Sequence, residues 1–84
     1  MYSLKFLNSA KKEFSKLDKN IQKLIKEKLL ILSNNPDELN IKPLKGEYKG
    51  KFRLRVNDYR IIYKIEDDKI MIVVIRIAHR KEVY

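Results

Sequence analysis

The fold of this chain is decided by residues 51–66, which read KFRLRVNDYRIIYKIE. Cations and hydrophobic residues alternate up to Asn57-Asp58, and a second strand-forming run follows, so the pattern predicts two strands joined by a two-residue turn. In that register Arg55 lies opposite Arg60, and directly paired residues share one face of a sheet. The hairpin therefore has a cationic face and an apolar face.

Five cations share the cationic face in this register, counting from the residue that opens the first strand. They are Lys51, Arg53, Arg55, Arg60 and Lys64. Arg53 lies opposite Ile62, and Lys51 lies opposite Lys64. Like charges that face each other directly destabilise a sheet, so this pattern favours a bound anion.

A third strand is predicted over residues 69–77, after a second two-residue turn at residues 67–68. Continued alternation places three more apolar side chains on the cationic face, namely Met71, Val73 and Ile75. The cationic face is thus expected to be a partly apolar concavity. If the strand continues, His79 joins this face, whereas Arg76 lies on the opposite face with Tyr59 and has a structural role.

The rest of the chain supplies a layer that covers the apolar face. Residues 2–7 alternate weakly and predict a short strand, and two helices with apolar stripes follow, the second beginning after Asp18. Residues 36–50 hold both prolines and both glycines and predict a connecting loop. We predict one α+β domain over residues 1–84, in which a two-helix hairpin packs on one face of an antiparallel sheet in the order β-α-α-β-β-β.

Charge points to a polyanionic partner. The 84 residues include 20 Lys and Arg against 11 Asp and Glu, a formal net charge of +9, and such a balance favours binding to polyanions. Every arginine lies within residues 53–80. Because the planar guanidinium group binds two phosphate oxygens at once, this clustering predicts a phosphate site there.

Composition also excludes several classes of function and location. The chain has no cysteine and one histidine, which excludes thiol chemistry, cysteine zinc sites and histidine clusters. The longest apolar run, residues 70–75, is too short to span a membrane, and the first residues lack a signal-peptide pattern. We therefore expect a cytoplasmic protein without a membrane partner.

Several cations, one histidine and no carboxylate cluster suit cleavage of RNA by attack of its own 2'-hydroxyl group on the neighbouring phosphorus. Cations stabilise the charged transition state, and no metal or other cofactor is expected. Histidine is the usual proton carrier near neutral pH, which makes His79 one candidate base, and Lys51, crowded by other cations, is a second. The candidate RNA-binding residues are Lys45, Lys49, Arg55 and Lys64. A surface histidine, with arginines that bind an acidic protein, is the alternative interpretation.

Four motifs resemble the toxins of the RelE/ParE superfamily, on its RelE side: LKG at residues 44–46, KFRLRV at 51–56, DYRIIY at 58–63 and AHRKEVY at 78–84. The resemblance covers nearly the whole chain. It implies the toxin of a type II toxin–antitoxin pair that enters the ribosomal A site, cuts mRNA to leave a 2',3'-cyclic phosphate and a 5'-hydroxyl, and stops translation. A cognate antitoxin, the ribosome and mRNA are the implied partners.

The resemblance also implies catalytic roles for matching residues. Lys51 matches a lysine for phosphate contact and proton transfer, and Arg60 matches the arginine that stabilises the scissile phosphate. Arg80 matches a tail arginine that acts as acid or charge stabiliser. Tyr84 matches a terminal tyrosine that stacks on or orients the substrate base, and His79 matches a histidine that some branches place before the arginine.

Two positions depart from the pattern of the superfamily. Arg53 stands where relatives often carry lysine, and arginine keeps the charge but is a poor base. Lys42 stands before Pro43-Leu44, where some relatives have a glutamate that acts as general base, so that mechanism is not available. Two other functions remain open on the same fold, a ParE-like inhibitor of DNA gyrase and a noncatalytic RNA-binding module.

Overall fold

The computed structural model describes residues 2–34, 41–43 and 50–83. In chain order the elements are β1 (Ser3–Phe6), α1 (Asn8–Ser15), α2 (Lys19–Asn34), β2 (Ile41–Pro43), β3 (Phe52–Val56), β4 (Tyr59–Glu66), β5 (Met71–His79) and α3 (Arg80–Val83). The predicted α+β class is confirmed, as is the order of a strand, two helices and three further long strands. Within these three ranges, no helix has both the length and the apolar character needed to span a membrane.

The strands form one five-stranded sheet in the order β1-β5-β4-β3-β2. β3, β4 and β5 pair antiparallel, whereas β1 pairs parallel with β5, so the sheet is mixed. The predicted register of the β3–β4 hairpin is confirmed, because Arg55 pairs with Arg60 and Arg53 pairs with Ile62. The hairpin thus has the two faces that its alternation predicts.

The loop predicted between α2 and β3 contains a short strand. Ile41–Pro43 pairs antiparallel with β3, with Pro43 opposite Phe52, so the prediction of a loop is wrong at these residues. β2 is an edge strand, and proline is tolerated at a sheet edge because its missing N–H is not needed there. Three residues are too short a run to give a signal of alternation.

The two helices cover the apolar face of the sheet. Buried side chains from the helices and strands form one core: Ala10, Ile25, Leu29, Leu32, Leu54, Val56, Ile61, Tyr63, Ile72, Val74 and Ile77. The strand residues of this core include the apolar partners predicted to face the helices. Arg53, Arg55 and Arg60 alternate with them and therefore lie on the opposite, cationic face.

The turn between β4 and β5 is longer than predicted. A 3-10 turn over Asp67–Lys69 is followed by Ile70 in the left-handed region at φ 49°, and β5 begins at Met71, opposite Glu66. The predicted two-residue turn is therefore wrong. Because the turn gained two residues, the alternation is kept and Met71 still lies on the cationic face.

A β-bulge reverses the alternation in the second half of β5. Tyr63 pairs with Val74, but Ile62 pairs with Arg76, so Ile75 is an extra residue on β5. The prediction that Arg76 lies on the helix-covered face is wrong, because one inserted residue exchanges the faces of all residues after it.

His79 changes face for the same reason. It pairs with Tyr59, and the two rings contact edge to face with centroids 5.5 Å apart. Ala78, not His79, lies opposite Arg60. The expectation that His79 joins the cationic face is therefore wrong, although β5 does extend as far as His79.

The bulge lies where α1 replaces β1 along the edge of β5. Pairing with β1 ends at Val74. Beyond it, Ser9 Oγ donates to the carbonyl oxygen of Ile75 at 3.4 Å, and the Ile77 N–H donates to Glu13 Oε1 at 2.9 Å. Side chains of α1 thus satisfy backbone groups that a neighbouring strand would otherwise pair.

The buried hydroxyl group of Tyr63 should lower the stability of the core. Its side chain is fully buried, and its hydroxyl has no hydrogen-bond partner in the part of the chain that the structure describes. Tyr63→Phe keeps the ring and removes the unsatisfied group, so we expect the free energy of unfolding in urea to rise by up to about 1 kcal/mol. Tyr2→Phe is the control, because the Tyr2 hydroxyl donates to Asp67 Oδ1 at 3.1 Å, and it should give no increase. A clear loss of stability in Tyr63→Phe would contradict this assignment.

The Tyr63→Phe variant should also change how the stability of the folded state depends on pH above about pH 10. Burial raises the pKa of Tyr63 to about 12, above the value of roughly 10 in an unfolded chain. The folded state therefore loses stability as the pH rises from about 10 towards 12, because the unfolded chain ionises first. Tyr63→Phe should lack this part of the alkaline loss.

Candidate active site

Four arginines meet near the β3–β4 turn: Arg53, Arg55, Arg60 and Arg80. Arg53 and Arg55 lie on β3, Arg60 lies on β4, and Arg80 begins α3 directly after β5. Burial lowers the pKa of Arg60, and the positive charges of the other three lower it further. The other three side chains therefore act electrostatically on Arg60, and we term the four residues the arginine cluster.

Arg60 is the buried member of the arginine cluster. The residue is 6% exposed, and its Nη1 donates to the carbonyl oxygens of Asn57 at 3.3 Å and Tyr59 at 3.2 Å. Asn57 has a φ of 52°, a left-handed conformation that suits the turn and that asparagine adopts more readily than most residues. The turn thus fixes a charged guanidinium group where water is largely excluded, and charge interactions are strong in such a place.

Arg80 is tied to the same turn. Its backbone N–H donates to the carbonyl oxygen of Asp58 at 2.7 Å, and its Nε lies 3.8 Å from Asp58 Oδ1. The Asp58 carboxylate also raises the pKa of Arg60, against the effect of the neighbouring arginines. Sequence reasoning treated Asp58 as a turn residue and missed this role, although its position beside Tyr59-Arg60 was the available signal.

Lys51 and Lys64, at the other end of the hairpin, do not form the pair that the sequence predicts. Lys51 precedes β3, and the described ladder ends at Phe52 opposite Tyr63, so the predicted pairing of Lys51 with Lys64 is not formed. Lys64 Nζ lies 3.0 Å from Glu66 Oε1. A hydrogen bond from Lys64 lowers the pKa of Glu66. Part of the charge of Lys64 is therefore offset within the protein.

The structure brings His79 close to the arginine cluster along the chain but turns it to the other face. Its Nδ1 accepts the backbone N–H of Lys81 at 3.3 Å, and its ring packs on Tyr59.

Arg76 Nε lies 3.4 Å from Glu13 Oε2, which links β5 to α1 and supports a structural role for Arg76.

Three of the predicted site residues, Lys45, Lys49 and Tyr84, lie outside the described residues. Among the residues that are described, no group of three His, Asp or Glu side chains is arranged to hold a metal ion.

Comparison with known proteins identifies the family. A family model described as "ParE toxin of type II toxin-antitoxin system, parDE" matches residues 2–84. The chain belongs to the RelE/ParE family of type II toxins. The resemblance predicted from the motifs is therefore confirmed.

Relatives of this RelE/ParE toxin carry RelE-type names. It is 32% identical to "Toxin RelG" of Mycobacterium tuberculosis over 84 residues, which cover 99% of this chain and 95% of that protein. It is 33% identical to "mRNA interferase toxin RelE" of Escherichia coli over 86 residues, which cover 99% and 90%. A chain in the crystal structure of the toxin–antitoxin complex RelBE2 from M. tuberculosis matches with a TM-score of 0.83 and 32% identity, over 94% of this chain and 98% of that chain.

The like-charged pair in this toxin should cost stability. Arg55 is exposed and lies directly opposite Arg60. Arg55→Gln removes one of the two charges, so we expect the free energy of unfolding to rise by about 0.2–1 kcal/mol at low ionic strength, with a smaller gain as salt screens the repulsion. Urea denaturation at two salt concentrations measures this. Lys64→Gln is the matched control, because it breaks the contact with Glu66 and should give no gain. Equal responses of the two variants would argue against the repulsion.

Proposed function

We propose that this toxin is a ribosome-dependent mRNA endonuclease. It cuts mRNA in the ribosomal A site by attack of a 2'-hydroxyl group on the neighbouring phosphorus, which leaves a 2',3'-cyclic phosphate and a 5'-hydroxyl, and translation stops. The observation that carries the proposal is the buried guanidinium group of Arg60, held at the β3–β4 turn among three other arginines.

Cleavage by the 2'-hydroxyl group requires positively charged groups that are held in fixed positions around the phosphate. The 2'-oxygen forms a bond to phosphorus while the bond to the 5'-oxygen breaks, and negative charge builds up on the phosphate oxygens. Donors that are already in position stabilise this charge without rearrangement, and a site that excludes water strengthens their effect. Arg60 meets both conditions. A bound phosphate would also relieve the repulsion within the arginine cluster, because it supplies the opposite charge.

The proposal gives the predicted residues separate tasks. Arg60 and Arg80 stabilise the cleaved phosphate, and Tyr84 orients the substrate base. One proton must leave the 2'-hydroxyl and one must reach the 5'-oxygen. Lys51 and His79 are the two predicted carriers, and the position of His79 on the face opposite Arg60 favours Lys51. Arg53 adds fixed positive charge at the catalytic centre. The residues that bind neighbouring phosphates are Arg55, Lys64, Lys45 and Lys49.

The names of the relatives support the proposal. The E. coli relative is named an mRNA interferase, at 33% identity, which favours cleavage of mRNA by this chain. The matched M. tuberculosis structure is a toxin–antitoxin complex, so we propose that a cognate antitoxin binds and inhibits this chain in the cytoplasm, where ribosomes and mRNA are found.

Inhibition of DNA gyrase is the second candidate, because the matching family model carries the ParE description. That function requires binding to a protein target and no set of groups for phosphate chemistry. The combination of Lys51, Arg60, His79, Arg80 and Tyr84 in one chain favours the nuclease.

Primer extension on mRNA in a reconstituted translating system tests the proposal. Wild type should cut at A-site codons, and Arg80→Ala should lower the cutting rate by about 100-fold, the usual effect of losing one charge-stabilising donor. Tyr84→Ala should also cut more slowly, whereas Lys19→Ala, an exposed position on α2, should match wild type.

A 2'-deoxynucleotide at a strong site should abolish cutting there. Unbroken mRNA and normal translation with wild type would instead point to gyrase, which a supercoiling assay measures.

A further inference from the structure

A groove lies beside the arginine cluster, between α2 and the β3–β4 turn. Its volume is about 680 Å³, within the range of about 300–1,000 Å³ typical of ligand sites. The described residues that line it are Leu24, Lys28, Arg55, Val56, Asn57 and Asp58. Arg55 pairs directly with Arg60, and Asp58 contacts Arg80. The groove therefore shares Arg55 with the arginine cluster, and Asp58 in its lining contacts Arg80 of that cluster.

Two cations stand in this groove. Lys28 is half-buried, whereas Lys19, Lys23 and Lys26 of the same helix are exposed. In the described ranges neither Lys28 nor Arg55 forms an ion pair with a carboxylate. A partly buried lysine beside an arginine favours a ligand that brings negative charge, and a phosphate group fits both.

The other lining residues suit a nucleobase. Leu24 and Val56 supply apolar surface, and the amide of Asn57 supplies both donors and acceptors. The Asp58 side chain is 62% exposed, and its 3.8 Å contact with Arg80 leaves it acceptor capacity. A carboxylate accepts hydrogen bonds and does not donate them, so Asp58 favours a base edge that presents an exocyclic amino group. Uracil has no amino group, and carbonyl oxygens flank its single N3–H donor.

We propose that this groove binds one nucleotide of the mRNA next to the cleaved phosphate. The phosphate of that nucleotide lies between Lys28 and Arg55, the base packs on Leu24, and Asn57 and Asp58 contact its edge. The site thus contributes to sequence preference, with bases that carry an exocyclic amino group favoured over uracil. This inference rests on the proposed function, because it needs the chain to act on RNA.

Mapping of all cuts along a long mRNA on translating ribosomes tests the subsite, with single-turnover rates measured at each cut. Lys28→Ala should lower the rate about equally at every site, by about 3- to 10-fold, because a phosphate contact carries no sequence information. Lys19→Ala removes the same charge from an exposed position of α2 and should have no effect.

Asp58→Asn should act differently, because it changes an acceptor into a group that also donates. The preference for amino-bearing bases over uracil at one position of the cut site should fall by about fivefold or more. Asp68→Asn is the charge-matched control, since Asp68 is exposed in the 3-10 turn, and it should leave the pattern unchanged. Asn57→Gly, which suits the φ of 52°, should also weaken base preference.

The outcomes separate this inference from the proposed function. If wild type cuts mRNA and the groove variants, folded by circular dichroism, match their controls in rate and in sequence pattern, the subsite is wrong and the nuclease stands. If all groove variants lose rate without any change of pattern, phosphate binding is retained and base contact is overturned. If wild type does not cut, the proposed function falls and the subsite falls with it.

Discussion

The register of the β3–β4 hairpin, in which Arg55 pairs with Arg60, determines how the core and the candidate site are arranged. The turn at Asn57-Asp58 fixes this register, and the register assigns every side chain of the hairpin to one of two faces. The apolar face forms the core under the helices. The other face holds arginines close together, at a cost in stability that an anionic ligand can offset. A slip by one residue would exchange the two faces and remove both core and site.

Alternation in the sequence predicts this hairpin because the turn and both strands are close together along the chain. The face on which each side chain lies therefore follows from local sequence alone. The second half of β5 could not be predicted in the same way. The faces of Arg76 and His79 depend on the bulge at Ile75, and the contacts that accompany the bulge come from Ser9 and Glu13, more than 60 positions away. Alternation carries no information about an inserted residue whose partners lie in a distant helix.

The candidate site shows the same division. Charge and spacing predict Arg53, Arg55 and Arg60 on one face, and the register confirms it. The approach of Arg80 to this group depends on how β5 ends and on its backbone hydrogen bond to Asp58, which charge counting does not reveal. The groove next to Asp58 is a further product of tertiary packing, because α2 supplies one of its walls. The roles of the site residues in catalysis stay predictions.

The proposed function depends most on Arg60, which we propose stabilises the negative charge of the cleaved phosphate. Its most direct test is the single-turnover rate of mRNA cleavage on programmed ribosomes by Arg60→Ala and Arg60→Lys, with circular dichroism and thermal denaturation to establish that each variant is folded. We predict a loss of about 10²- to 10³-fold for Arg60→Ala and a smaller loss for Arg60→Lys, which keeps the charge but not the planar pair of donors. A folded Arg60→Ala variant that cuts at the wild-type rate would show that Arg60 does not stabilise the cleaved phosphate.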